Sequence, residues 1–88
     1  MDKTNINILW VEARSYLPED SISKHSHNFF HYIYVATGSG EIRINDENYR
    51  LTSGCIYLVN PGEEHSFSAS ATEKLVTSEI KFETSDNN

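Results

Sequence analysis

The sequence predicts an all-β fold, a small barrel or sandwich, and three observations predict it. Between His31 and Val59 the apolar residues come in short alternating or continuous runs rich in Ile, Val and Tyr. Turn residues (Gly, Pro, Asn and Asp) interrupt these runs every eight to twelve positions, the spacing of short strands in a barrel or sandwich. No segment combines a helical apolar stripe with the capping residues a helix needs. The 88 residues suffice for one domain, expected to span 1–88 with its core over about 5–83.

The first expected strand is Asn5 to Val11, with Ile6, Ile8 and Trp10 on one face. Glu12 to Lys24 holds Pro18 and several small polar residues and reads as irregular coil with some extended structure. His31 to Thr37 is the clearest strand, and Gly38-Ser39-Gly40 ends it in a tight turn that tolerates positive φ. Glu41 to Ile44 answers it, and Asn45-Asp46-Glu47-Asn48 forms a hairpin turn into Tyr49-Arg50-Leu51. Thr52-Ser53-Gly54 turns the chain into Cys55 to Val59, which stops at Asn60-Pro61-Gly62. His65 to Ser68 is a short strand, and Val76 to Phe82 sets Val76, Ser78, Ile80 and Phe82 on one face. The polar Thr84 to Asn88 reads as a frayed tail or a truncation point.

Composition narrows the function. Seven basic against thirteen acidic residues leave a net charge of -6, the wrong sign for a nucleic-acid footprint, so this segment alone is not expected to bind DNA. No apolar run reaches the roughly 20 residues of a membrane helix, and Met1 to Asn5 does not open a signal peptide. The lone Cys55 cannot close an internal disulfide, which suits a reducing, cytoplasmic setting.

The chemistry lies in four histidines, at 25, 27, 31 and 65. His25 and His27 are two apart, so on an extended strand both imidazoles leave the same face. His31 shares a face with Ile33 and Val35, and His65 with Phe67, so both are expected to point inward. A barrel gathers inward residues from distant positions, and three or four neutral imidazoles suit Zn, Ni, Cu or Fe(II). The alternative is that His25, His27, His31 and His65 are polar residues lining an effector pocket, satisfied by neighbours or water. Tyr32, Tyr34, Tyr49 and Tyr57 are candidates to line a sugar pocket, although aromatic residues favour strands in any case. Trp10, Phe29 and Phe30 read as core or dimer contacts, Cys55 as a structural thiol, and Glu63-Glu64 as a solvated pair.

These histidines carry a resemblance. His25-x-His27, three residues, His31, six residues, Gly38 resembles the first signature of the cupin barrel, whose usual Glu is His31 here. Gly54, seven residues, Gly62, two residues, His65 resembles the second, with Asn60 where the family has proline and Pro61 one place later. The texture from His25 to Phe67 is similar to the N-terminal effector-binding domain of AraC-type transcription regulators. The resemblance implies a double-stranded β-helix of the cupin or jelly-roll type that binds a small effector, a sugar or a small organic anion. It also implies a homodimer, and DNA-binding helix-turn-helix motifs that this chain does not contain.

Replacing the family's Glu by His31 keeps a nitrogen donor but removes a negative charge. A divalent ion there would then attract an anionic ligand such as a carboxylate or hydroxide. The second reading is a stand-alone metallo-cupin enzyme of dioxygenase or isomerase type, using all four histidines. A third is a dimerisation module with a vestigial pocket. The sensor is the preferred reading, with no catalytic residue assigned. Exposed sheet edges, which pairing across a two-fold axis would cover, are the sequence argument for the dimer.

Overall fold

A computed structural model describes residues 4–86. Its strands are β1 (Thr4–Tyr16), β2 (Ser21–His25), β3 (Phe30–Thr37), β4 (Ser39–Ile44), β5 (Glu47–Thr52), β6 (Ile56–Val59), β7 (His65–Ala69) and β8 (Leu75–Asp86). They pair into two antiparallel four-stranded sheets, β1-β8-β3-β6 and β2-β7-β4-β5. This is the expected jelly-roll-like, all-β architecture. No helix of the described residues is long and apolar enough to cross a membrane.

The core lies between the sheets. Ile33 and Val35 of β3, Val59 of β6 and Leu75 of β8 meet Ile42 of β4, Leu51 of β5 and Phe67 and Ala69 of β7. Strand alternation places them: β3 reads half-buried, buried, half-buried from Phe30, and β7 reads buried at His65, Phe67 and Ala69. At about 25 cal/mol per Å² of apolar surface, each such side chain contributes roughly 1.5–3 kcal/mol of burial. A 13-residue β1 explains the 49 Å long axis, since a strand advances about 3.3 Å per residue.

Gly38 shows why one turn position admits no side chain. Its φ is +91°, and a Cβ there would lie 2.1 Å from the carbonyl oxygen of Lys74. The turn is tighter than the sequence suggested, because β4 already begins at Ser39. The hairpin between β4 and β5 likewise turns on Asn45 and Asp46 alone, with Asn45 at φ +53° and Glu47 already paired with Ile44.

Three further expectations are corrected. The stretch expected as irregular coil with some extended structure is mostly strand: β1 runs to Tyr16, and β2 follows a turn at Leu17–Asp20. There the Asp20 carboxylate accepts from Leu17 N–H at 2.9 Å, and Asp20 N–H donates to the Leu17 carbonyl at 3.0 Å. Trp10 does not share a face with Ile6 and Ile8. A register shift between Ile8 and Trp10 pairs Ile8 with Phe82 but Trp10 with Lys81, turning the indole to the opposite side. Thr84, Ser85 and Asp86 pair with β1 rather than fray; Asn87 and Asn88 lie outside the described residues.

Candidate metal and effector site

The four histidines come together at one end of the sandwich. His25 closes β2 and lies opposite His65, the first residue of β7, with ring centroids 4.2 Å apart. His27 follows in the loop before β3, with its centroid 5.7 Å from His25 and 4.9 Å from His65. Strand parity therefore does not explain the His25–His27 pairing, because β2 ends at His25. Two contacts fix His27 instead. Its ring stacks on Phe29 at 4.0 Å and 4°, and its carbonyl accepts from Gly62 N–H at 2.9 Å. His31, on β3, is buried as expected, and its ring lies 5.6 Å from His27 and 6.0 Å from His65.

Hydrogen bonds divide the four into three and one. His25 Nδ1–H donates to the Ser23 carbonyl at 2.9 Å, His27 Nδ1–H to the Phe29 carbonyl at 3.1 Å, and His65 Nδ1–H to the Glu63 carbonyl at 3.1 Å. A carbonyl only accepts, so each Nδ1 carries the proton and each Nε2 keeps its lone pair. The Nε2 atoms of His27 and His65 are buried without any hydrogen-bond partner. His25, His27 and His65 each place a ligand atom within 4.8 Å of the others. His31 is turned the other way: its Nε2–H donates to Glu79 Oε1 at 2.7 Å, and its Nδ1 is the buried atom without a partner.

Glu79, on β8, is the residue that sequence reading missed. It is 2% exposed, and its Oε2 accepts from Tyr16 Oη–H at 2.9 Å and Thr77 Oγ1–H at 2.6 Å. Burial alone would raise its pKa, but hydrogen bonds from His31, Thr77 and Tyr16 outweigh burial and hold the carboxyl below its usual value. Burial and the neighbouring Glu79 charge push the Tyr16 hydroxyl well up. Burial also lowers His27, and it brings His65 down to about 4, with the other imidazoles adding to the effect. His27 and His65 are therefore neutral near pH 7, the form in which imidazole binds metal.

A cleft of about 160 Å³ opens beside this group, lined by Arg14, Tyr16, His25, His31, Glu79 and Lys81 among others. Larger surface clefts of about 250 Å³ contain no histidine, so donor chemistry rather than volume selects this one. Tyr32 and Tyr34 face outward from β3, Tyr49 is exposed, and none of the four tyrosines considered for a sugar pocket lines the histidine cleft. Cys55 is half-buried beside Thr52, its Sγ 2.9 Å from Thr52 Oγ1. The Glu63 and Glu64 side chains turn to Asn60 and Lys24; only the Glu63 backbone serves the site.

Comparison with known proteins agrees with this architecture. The family described as AraC-like ligand binding domain matches residues 12–86. Over 52 residues the chain is 31% identical to the HTH-type transcriptional activator RhaR of Escherichia coli, a stretch that is 59% of this chain and 18% of the activator. The chain thus spans under a fifth of the length of the curated relatives it matches. A predicted oxalate decarboxylase from Thermotoga maritima superposes with a TM-score of 0.80 at 20% identity, covering 84% of this chain and 65% of that one. The cupin domain of Cnp3 from Schizosaccharomyces pombe gives 0.77 at 10% identity, covering 89% and 59%. These two likenesses carry the fold alone.

Proposed function

Because the chain belongs to the family of AraC-like ligand binding domains, we propose that it is a small-molecule sensor whose pocket is the histidine end of the sandwich. In this reading His25, His27 and His65 hold a divalent transition ion, and His31 lines the same pocket as the fourth imidazole. One observation carries the metal assignment: all three Nδ1–H groups are clipped to backbone carbonyls, which leaves the Nε2 lone pairs free on three rings that each bring a nitrogen within 4.8 Å of the others. Metal-ligating histidines are held in this way by an outer partner. Around a tetrahedral ion with bonds of about 2.0–2.1 Å the nitrogens stand roughly 3.4 Å apart, so the rings need close by only about an ångström.

When bound, the ion supplies a Lewis-acidic positive centre with room for an anionic or oxygen ligand. The sensor works if the effector binds one of two conformations better, since a ligand shifts an equilibrium only by its differential affinity. DNA contact belongs, in this reading, to helix-turn-helix segments of a longer cytoplasmic regulator. Catalysis is the less supported reading because Glu79, the one buried carboxylate among the described residues, has both oxygens occupied by three donors. Three of its roughly four acceptor sites are thus committed to holding the fold rather than to a substrate proton.

Dimerisation is part of the same proposal, with the contact moved from the sheet edges to a sheet face. The outer side of β1-β8-β3-β6 carries Val11, Ile80, Tyr32 and Leu58 in one row, and Ile8, Phe82 and Phe30 in the next. Val11 is 66% exposed and Ile56, nearby on β6, is 55% exposed. Monomers rarely leave so continuous an apolar face in water, and a second copy offers an equally uncharged partner.

Metal analysis tests the site. Protein purified without nickel resin, stripped with chelator and equilibrated with zinc should hold one ion per chain. His27→Ala and His65→Ala should each lose most of it; unchanged stoichiometry in either variant would refute the assignment.

A further inference from the structure

Two cations line the histidine cleft, and among the described residues neither is paired with a carboxylate. Arg14 and Lys81 project from the inner faces of β1 and β8, and both line the cleft. Lys81 Nζ stands 4.4 Å from the centroid of the Trp10 ring and 5.9 Å from that of Phe29. The Arg14 guanidinium carbon is 6.0 Å from the same indole and 5.4 Å from the Tyr16 ring. Neither makes a salt bridge among the described residues, although acidic residues outnumber basic ones by thirteen to seven. Glu79, the acid within the cleft, is turned to His31, Tyr16 and Thr77. Glu12, opposite Glu79 on β1, is exposed and bridged to neither cation.

A second feature lies beside the same cleft. His31, which lines the cleft, keeps its Nδ1 buried without a partner in a side chain 5% exposed, and a buried polar atom left unpaired is costly. The cleft therefore combines two cations outside any salt bridge with aromatic walls from Tyr16 and Phe67, and the Trp10 ring stands beside both cations. Its volume of about 160 Å³ equals about five waters at about 30 Å³ each, room for a compact ligand. Guanidinium and ammonium groups flanking an aromatic floor match a ligand with an anionic head and a flat apolar body.

We infer that the effector of this domain is a small organic carboxylate, its head held between Arg14 and Lys81 beside the Trp10 ring, and its body lying against Tyr16 and Phe67. The inference rests on the sensor reading and narrows it, separating an anion sensor from a neutral-sugar sensor. It does not require the metal, because the two cations are fixed by β1 and β8.

Trp10 is the single tryptophan of the chain and so reports on its own site. The probe is benzoate, added to chelator-treated full chain while indole fluorescence is followed, with benzyl alcohol as the neutral counterpart. Benzoate should change the emission saturably and benzyl alcohol should bind at least tenfold more weakly. Arg14→Gln and Lys81→Met should each weaken benzoate at least tenfold, Lys81→Arg should recover most of the loss, and Arg50→Gln, on the exposed edge strand β5 of the other sheet, should behave as wild type. Circular dichroism melts establish that each variant is folded. Equal responses to benzoate and benzyl alcohol, no saturation by benzoate, or unaltered binding in Arg14→Gln and Lys81→Met would each overturn the inference. If neutral sugars instead saturate the Trp10 signal, and do so equally in Lys81→Met, the sensor reading survives and the carboxylate assignment falls.

Discussion

The two faces of the β1-β8-β3-β6 sheet invert the usual pattern. Where an antiparallel sheet with one solvated face keeps apolar residues inside, the inner face of this one carries Trp10, Glu12, Arg14, Tyr16, Thr77, Glu79 and Lys81 over its β1–β8 half, with Leu75 alone continuing the aliphatic core. Its outer face carries Ile6, Ile8, Val11, Val76, Ile80 and Phe82 opposite them. The other half of the inner face is conventional, with Ile33, Val35 and Val59 buried. One half of the sandwich interior is thus given to packing and the other to chemistry. The apolar residues displaced from the chemical half sit on the outside, where they need a partner.

The largest test of this contrast is at Glu79. Glu79→Leu leaves His31, Tyr16 and Thr77 unpaired inside the sandwich, and losing one partner of a buried network costs about 3–5 kcal/mol. Chemical denaturation should register that loss; a change under about 1 kcal/mol would mean the polar half does not hold the fold together.

Acidification comes next. Burial sets His65 at about 4 in the folded chain, against about 6.5 when unfolded, so between these values the unfolded state binds more protons. Stability of the metal-free protein is complete above about pH 6.5 and falls toward pH 4, by roughly 3 kcal/mol from this group. His27, also lowered by burial, acts in the same direction. Glu79, lowered by its three donors, adds a loss as pH falls through its folded value. Thermal melts that do not vary between pH 7 and 5 would contradict the neutral, desolvated imidazoles.

The outer face is probed by the smallest change in monomer stability. Val11→Lys and Ile56→Lys alter exposed positions and should cost within about 0.5 kcal/mol. Each should nevertheless convert a sedimenting dimer to a 10 kDa monomer. Wild type that sediments as a monomer at high concentration would remove the need for a covered face.

The same inversion explains what could be read from the sequence. His31 with Ile33 and Val35, and His65 with Phe67, follow strand alternation and are buried as it implies. On β8 the apolar set Val76, Ile80 and Phe82 does share a face, but it is the outer one, and the buried set is Leu75, Thr77 and Glu79. Alternation cannot tell which parity is inside when both carry apolar residues and the inner one ends in Glu79 and Lys81. Trp10 is misplaced for a different reason, because the bulge after Ile8 shifts parity by one and leaves no residue signature. Arg14 and Tyr16 were hidden in a stretch whose Pro18 and polar residues read as coil; only the full-length pairing with β8 makes them strand. A Glu two residues from a Thr on the last strand was the one available signal for the buried pair.

Nitrogen-15 NMR of the metal-free protein, correlating each imidazole nitrogen with its ring protons, reads the tautomers on which the site depends. His27 and His65 should resonate as Nδ1–H tautomers with bare Nε2 atoms, and His31 with its proton on Nε2, facing Glu79. Protons on Nε2 of His27 and His65 would contradict the account, for their lone pairs would then point at the backbone instead of into the cup.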